Sequence, residues 1–141
     1  MNKTKGFTII ELIVVIAIIA VLAAVVAVNV VSYISKSRDA AIKSNMEAMT
    51  TDAAVFYDTT GVATYTNLCT DTTTGFATAY AAAQAQKKSA GTVDCDSSST
   101  QWRAVVQLNN PTAANGWWCV DYTGVKKELA TDPVGTATFC P

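Results

Sequence analysis

Few side chains in this chain are of a type and spacing that do chemistry, and the one most at odds with its neighbours is Glu11. It stands at the head of residues 12–28, a run without one polar side chain. An ionised carboxylate placed in hydrocarbon is costly unless something neutralises it. It can sit at a membrane interface beside the positive end of its own helix dipole. Alternatively, it is held for a cation that another chain supplies when many such helices bundle away from lipid. We take the second reading, because an unpartnered buried charge is a poor thing to retain. A cut after Gly6 would create that cation, the new α-amino group of Phe7.

The next candidates are four cysteines, Cys69, Cys95, Cys119 and Cys140. They allow three pairings, and nothing in their spacing removes the alternatives. Zinc is disfavoured, because no pair has C-x-x-C spacing and the chain has no histidine. Disulfides suit a small exported domain with a thin core. We expect Cys69 with Cys95 and Cys119 with Cys140, the second tying the C-terminal tail to a sheet. Asp94, Asp96 and Ser98 imitate the start of a calcium loop, but Ser99 replaces the required Gly and Val105 the bidentate Glu. We read them as a solvated turn and assign no metal and no cofactor. Without histidine there is no Ser-His or Cys-His pair, so no catalytic residues and no enzyme are expected. A net charge of −1 without a long basic run argues against a nucleic-acid site.

These residues sit on elements with distinct patterns. Residues 9–28 are 20 in number, about 30 Å as a helix, which matches the hydrocarbon core of a bilayer. The competing reading is a cleaved secretory signal cut near Ala27, but the apolar run exceeds the usual 7–15 residues of such a signal. Lys3 and Lys5 before the run and Lys36, Arg38 and Lys43 after it leave orientation unsettled. Oxidised cysteines would place the C-terminal part outside the cytoplasm. Beyond Asn29, Ile42, Met46, Met49, Ala53 and Phe56 recur at steps of four and three, one apolar stripe of a helix. Lys36, Arg38, Asp39, Lys43 and Glu47 then share the remaining surface. No Pro or Gly occurs between Gly6 and Gly61, which predicts one helix from Phe7 to about Tyr57.

The stripe needs a cover, and only the C-terminal region of this chain can supply it. Thr59-Thr60-Gly61 ends the helix and leads into loop. Residues 75–91 predict a short Ala-rich helix, and residues 94–99 a second loop. Trp102, Ala104, Val106 and Leu108 alternate with Arg103, Val105 and Gln107, a half-buried strand. Asn109-Asn110-Pro111 and Asn115-Gly116 are turn signals. Residues 117–121 and 125–129 predict two further strands, the last stopping before Asp132-Pro133. Trp117 and Trp118 should point to opposite faces, one into the core and the other to the surface. The fold class is therefore α+β, a long N-terminal helix packed on a small three-stranded antiparallel sheet.

Lys5-Gly6-Phe7-Thr8-Ile9-Ile10-Glu11-Leu12, with its long aliphatic run, resembles the amino-terminal signature of type IV pilins and pseudopilins. The features are a short basic leader ending in Gly, then Phe, then Glu as the fifth residue of the cut chain. The resemblance covers residues 1 to about 60 well and the rest loosely. It implies cleavage after Gly6 by a prepilin peptidase, N-methylation of Phe7, and subunit docking through Phe7 and Glu11. It also implies a leader over residues 1–6, a membrane and fibre-core segment over 7–31, and a globular pilin domain over 32–141. Many pilins bend this helix with Gly or Pro, and here neither is present.

The expected function is that of a structural subunit in a homopolymeric fibre, supporting adhesion, twitching motility or DNA uptake. The alternative is a pseudopilin or minor pilin of a type II secretion or competence system. A membrane-anchored enzyme or binding module working singly is a third reading, without a catalytic constellation behind it. The partners implied are the prepilin peptidase, an assembly platform and an ATPase motor, since the chain has no phosphate loop of its own. The precursor would cross the inner or cytoplasmic membrane once, and the fibre would stand on the cell surface.

Overall fold

The computed structural model describes residues 6–59, 61, 63–88, 90–112, 116–131, 133, 135 and 138–141. The leader lysines Lys3 and Lys5, Thr60 at the expected helix end, and Asn115 and Asp132 at expected turns lie outside the described residues. The chain divides into two compact units, Met1–Ile34 and Ser35–Pro141. One helix, α1 (Ile9–Thr59, 51 residues), contributes to both. It ends at Thr59, whose hydroxyl donates back to the Val55 carbonyl at 2.7 Å.

In the first unit, every described side chain from residue 9 to 34 is exposed. Ile9, Val21 and Val31 are each about two-thirds exposed or more. The helix is long and apolar enough to cross a membrane by length and composition, and its apolar window is not buried by the rest of the chain. A helix greasy on all sides has no preferred inward face, which is the pattern of a segment solvated by lipid or by other helices.

The second unit is built on the amphipathic part of α1. Ile42, Met46, Met49, Ala53 and Phe56 are all buried, as their spacing requires. They pack with Leu68 of a short 3₁₀ turn (Leu68–Thr70), with Phe76, Tyr80 and Ala83 of α2 (Phe76–Gln86), and with the inner face of a sheet. Phe76 meets the Trp102 ring edge to face, centroids 5.2 Å apart. The sheet has four strands in the order β1 (Val93–Ser97), β2 (Trp102–Gln107), β3 (Trp117–Asp121), β4 (Lys126–Leu129), each antiparallel to the next. The sequence led us to expect three strands and a loop where β1 lies. Val-Asp-Cys-Asp-Ser alternates over only two apolar residues, Val93 and Cys95, which face the inner core, and β1 is held by its ladder to β2, with Cys95 opposite Ala104.

The turns follow local chemistry. Asp121 accepts the Thr123 amide and hydroxyl at 2.9 and 2.6 Å, and Gly124 takes the positive φ of 83° that closes the β3–β4 hairpin. At Gly116, a Cβ would come within 2.5 Å of Pro111 Cβ and 2.7 Å of Glu128 Oε1, so only glycine fits there.

Two expectations about charge are corrected. Asp39 is not a surface residue: it is buried, and its carboxylate accepts the amides of Asn109 and Asn110 at 2.6 and 2.7 Å and Asn109 Nδ2 at 2.9 Å. The helix there passes over the β2–β3 connection, and Asp39 satisfies backbone donors that have no ladder partner. Strand β2 is not half-buried either. Arg103 and Val105, on its outer face, are both 1% exposed, because the C-terminal tail lies over that face. The two adjacent tryptophans share this fate. Trp117 is buried in the outer cluster and donates Nε1 to Thr92 Oγ1 at 2.6 Å, while Trp118 is partly buried against the inner core.

Replacing Asp39 by Ala leaves the backbone amides of Asn109 and Asn110 without an acceptor and Asn109 Nδ2 with only the Gln86 carbonyl. We expect Asp39→Ala to lower stability by about 2–4 kcal/mol, measured by chemical denaturation of the detergent-solubilised chain with tryptophan fluorescence. A change within experimental error would show that the carboxylate does not hold this connection.

Candidate functional site

The chemistry of the first unit is gathered at the start of α1. Thr8 directly precedes the helix and Glu11 is in its first turn. The Thr8 amide donates to Glu11 Oε2 at 2.9 Å and the Thr8 hydroxyl donates to the same oxygen at 2.8 Å. In return, Thr8 Oγ1 accepts the Glu11 amide at 3.2 Å. This is a reciprocal capping box, in which side chains replace the helical partners that first-turn amides lack. The Thr8-x-x-Glu11 spacing is its sequence signal, and reading Glu11 only as a charge misses Thr8.

Both donors converge on Oε2, and among the described residues Oε1 accepts no hydrogen bond. The carboxylate can therefore keep its own helix capped and still take a cation on its free oxygen. Phe7, one residue before the cap, is 77% exposed, and Gly6 before it is exposed and open on all sides.

In the second unit the structure joins Cys69 to Cys95 and Cys119 to Cys140, with Cα atoms 6.0 Å apart in each pair. The first links the turn after α1 to strand β1. The second fixes the tail to β3, where Cys140 packs with Val105, Trp117 and Cys119. The Cys140 amide also donates to Asp121 Oδ2 at 2.8 Å.

Asp94 and Asp96 are not on a solvated turn. They lie on the outer face of β1, and both bind the buried guanidinium of Arg103, at 2.6 and 2.9 Å. Arg103 also donates to the carbonyls of Pro133 and Gly135 at 3.0 and 2.9 Å. Burial, then the like charge of Asp96, raises Asp94 above the ordinary carboxylate range against the pull of Arg103. The cluster is therefore a clasp for the tail. Sequence reasoning misses Arg103, since its partners on the tail are 30 and 32 residues away in the chain and carry no side-chain signal.

Two clefts mark the second unit. One of about 250 Å³ is lined by Thr50, Tyr65, Trp102, Asp121 and Tyr122 among others, and one of about 310 Å³ by Lys36, Lys43, Asn110, Thr112 and Glu128. Asp121 is already engaged by Thr123, Val125 and Cys140, and Lys43 lies 4.6 Å from the centre of the Trp118 ring. In each cleft a threonine hydroxyl donates to the carboxylate, Thr123 to Asp121 at 2.6 Å and Thr112 to Glu128 at 2.8 Å.

The prokaryotic N-terminal methylation motif matches residues 1–27. No curated protein and no solved structure matches the chain. The motif is the class III signal of type IV pilins, and it marks a membrane-anchored precursor with an apolar N-terminal helix. Together with the long helix and the small antiparallel sheet, the motif supports a type IV pilin-like protein. The motif implies processing by a prepilin peptidase and assembly into pilus-like fibres.

The capping box has a direct consequence for the helix start. In detergent micelles, Thr8→Val should speed hydrogen exchange at the first-turn amides, residues 9–12, while Thr8→Ser keeps them protected. Equal exchange in wild type and Thr8→Val would show that the box is not formed.

Proposed function

We propose that the chain is the structural subunit of a type IV pilus-like fibre. The observation that carries this is Glu11: a carboxylate with one oxygen held by Thr8 and the other accepting nothing among the described residues, at the head of a helix whose first half is exposed on every side. Cleavage after Gly6 turns the Phe7 amide into an ammonium, which methylation keeps charged. In a bundle of such helices, that ammonium meets Oε1 of Glu11 in a neighbouring copy. The contact is a charge-assisted hydrogen bond in a water-poor setting, where such bonds are strongest.

Energetics assigns the contact its task. Lipid tails are as apolar as the helix, so moving it from membrane to fibre core gains little from hydrophobic burial. Side-chain packing supplies cohesion, and the charged contact sets one helix start against the next. The disulfide-tied domain over residues 35–141 then forms the outside of the fibre. The subunit waits in the cytoplasmic membrane, is cut by the prepilin peptidase, and is raised by an assembly platform with an ATPase motor. The finished fibre stands on the cell surface and serves adhesion, twitching motility or DNA uptake.

Glu11→Val separates storage from assembly. The variant should insert into the membrane and be cut to a chain beginning at Phe7, yet give few or no fibres by electron microscopy. Intact mass of the wild-type subunit should show the cut, the methyl group and both disulfides. Normal fibres from Glu11→Val, or a mature wild-type chain that still begins with Met1, would overturn the proposal.

A further inference from the structure

The second unit carries a row of exposed charges on α1 that form no ion pair among the described residues. Lys36, Glu47 and Asp58 follow one another at steps of eleven residues. Eleven residues are three helical turns to within about 20°, so the three side chains form one row, roughly 16.5 Å between neighbours. All three are exposed. The ion pairs among the described residues engage Lys43, Glu128, Arg103, Asp94 and Asp96, and none of these three. The buried stripe of Ile42, Met46, Met49, Ala53 and Phe56 faces elsewhere, so the row lies on the outside of the unit.

We propose that this row is a register surface for a second copy of this chain, with Lys36 of one copy set against Asp58 of a parallel neighbour. The inference rests on the fibre reading above, and charge complementarity selects the shift. A displacement of eleven residues would match Lys36 with Glu47, but would also oppose Glu47 to Asp58, two like charges. A displacement of twenty-two residues, roughly 33 Å, matches Lys36 with Asp58 and opposes no like charges. An exposed pair changes a single contact by only about twofold to fivefold. Its use is to choose one register among several sterically similar ones, and a wrong register is penalised at every repeat of the fibre.

A charge swap in cells that assemble the full-length chain tests this, with fibre yield counted by electron microscopy and tryptophan-fluorescence melts confirming that each variant folds. Lys36→Glu should lower fibre yield by about tenfold, since it replaces attraction with repulsion. Adding Asp58→Lys should restore it to within about twofold, whereas adding Glu47→Lys instead should not. Lys36→Gln, which removes the charge without reversing it, should fall between wild type and Lys36→Glu. Wild-type yield from Lys36→Glu, or a Lys36→Glu/Asp58→Lys chain as poor as the single variant, would overturn the register surface and leave the fibre reading intact. Absence of fibres from the wild-type chain would overturn both.

Discussion

The structure turns on how one carboxylate is satisfied at the tip of an apolar helix. Glu11 cannot be left bare beside a run of aliphatic side chains, and it is not left bare. Thr8 binds one of its oxygens twice and takes the Glu11 amide in return. The motif needs no partner chain, so the carboxylate is hydrogen-bonded within its own helix start. Among the described residues the second oxygen accepts nothing, so the same group can still take an ammonium. In the proposed fibre, helix cap and docking group would be one residue, and removal of the leader would create the cation for that oxygen.

The second unit solves a related problem, covering an amphipathic helix with few residues. Its inner core is ordinary, a stripe of Ile, Met, Ala and Phe against two aromatic anchors, Phe76 and Trp102. Less ordinary are the charges that close it. Asp39 fastens the helix to the β2–β3 connection, and Arg103 fastens the tail to the outer face of the sheet. Each buried charge is matched by several partners, the condition under which burial of an ion is tolerable. The Cys119–Cys140 link acts at the same place as Arg103, so the outer face of the sheet is sealed by a covalent and an ionic tie together.

Much of this was legible in the residues. The stripe from Ile42 to Phe56 announces a helix face because its spacing is purely local, and the strands at Trp102–Gln107 and Trp117–Asp121 announce themselves by composition and turns. What escaped was set by distant chain. Strand β1 is polar in sequence and becomes a strand because β2 offers it a ladder. Asp39 looks like any surface acid until residues 70 positions further on present three donors to it. Arg103 reads as solvent-facing because nothing in its neighbourhood foretells that the tail will cover it. Thr8 is the exception, since its signal was local and was masked only by the louder charge three residues on.

The most direct measurement of the central claim is solid-state NMR on fibres assembled from two pools of subunit. One pool carries ¹⁵N at the Phe7 amine and the other ¹³C at the Glu11 carboxyl. Mixed fibres should show nitrogen-to-carbon transfer consistent with a contact of about 3–4 Å between different chains. Mixed fibres without that transfer, alongside strong transfer inside chains carrying both labels, would contradict it.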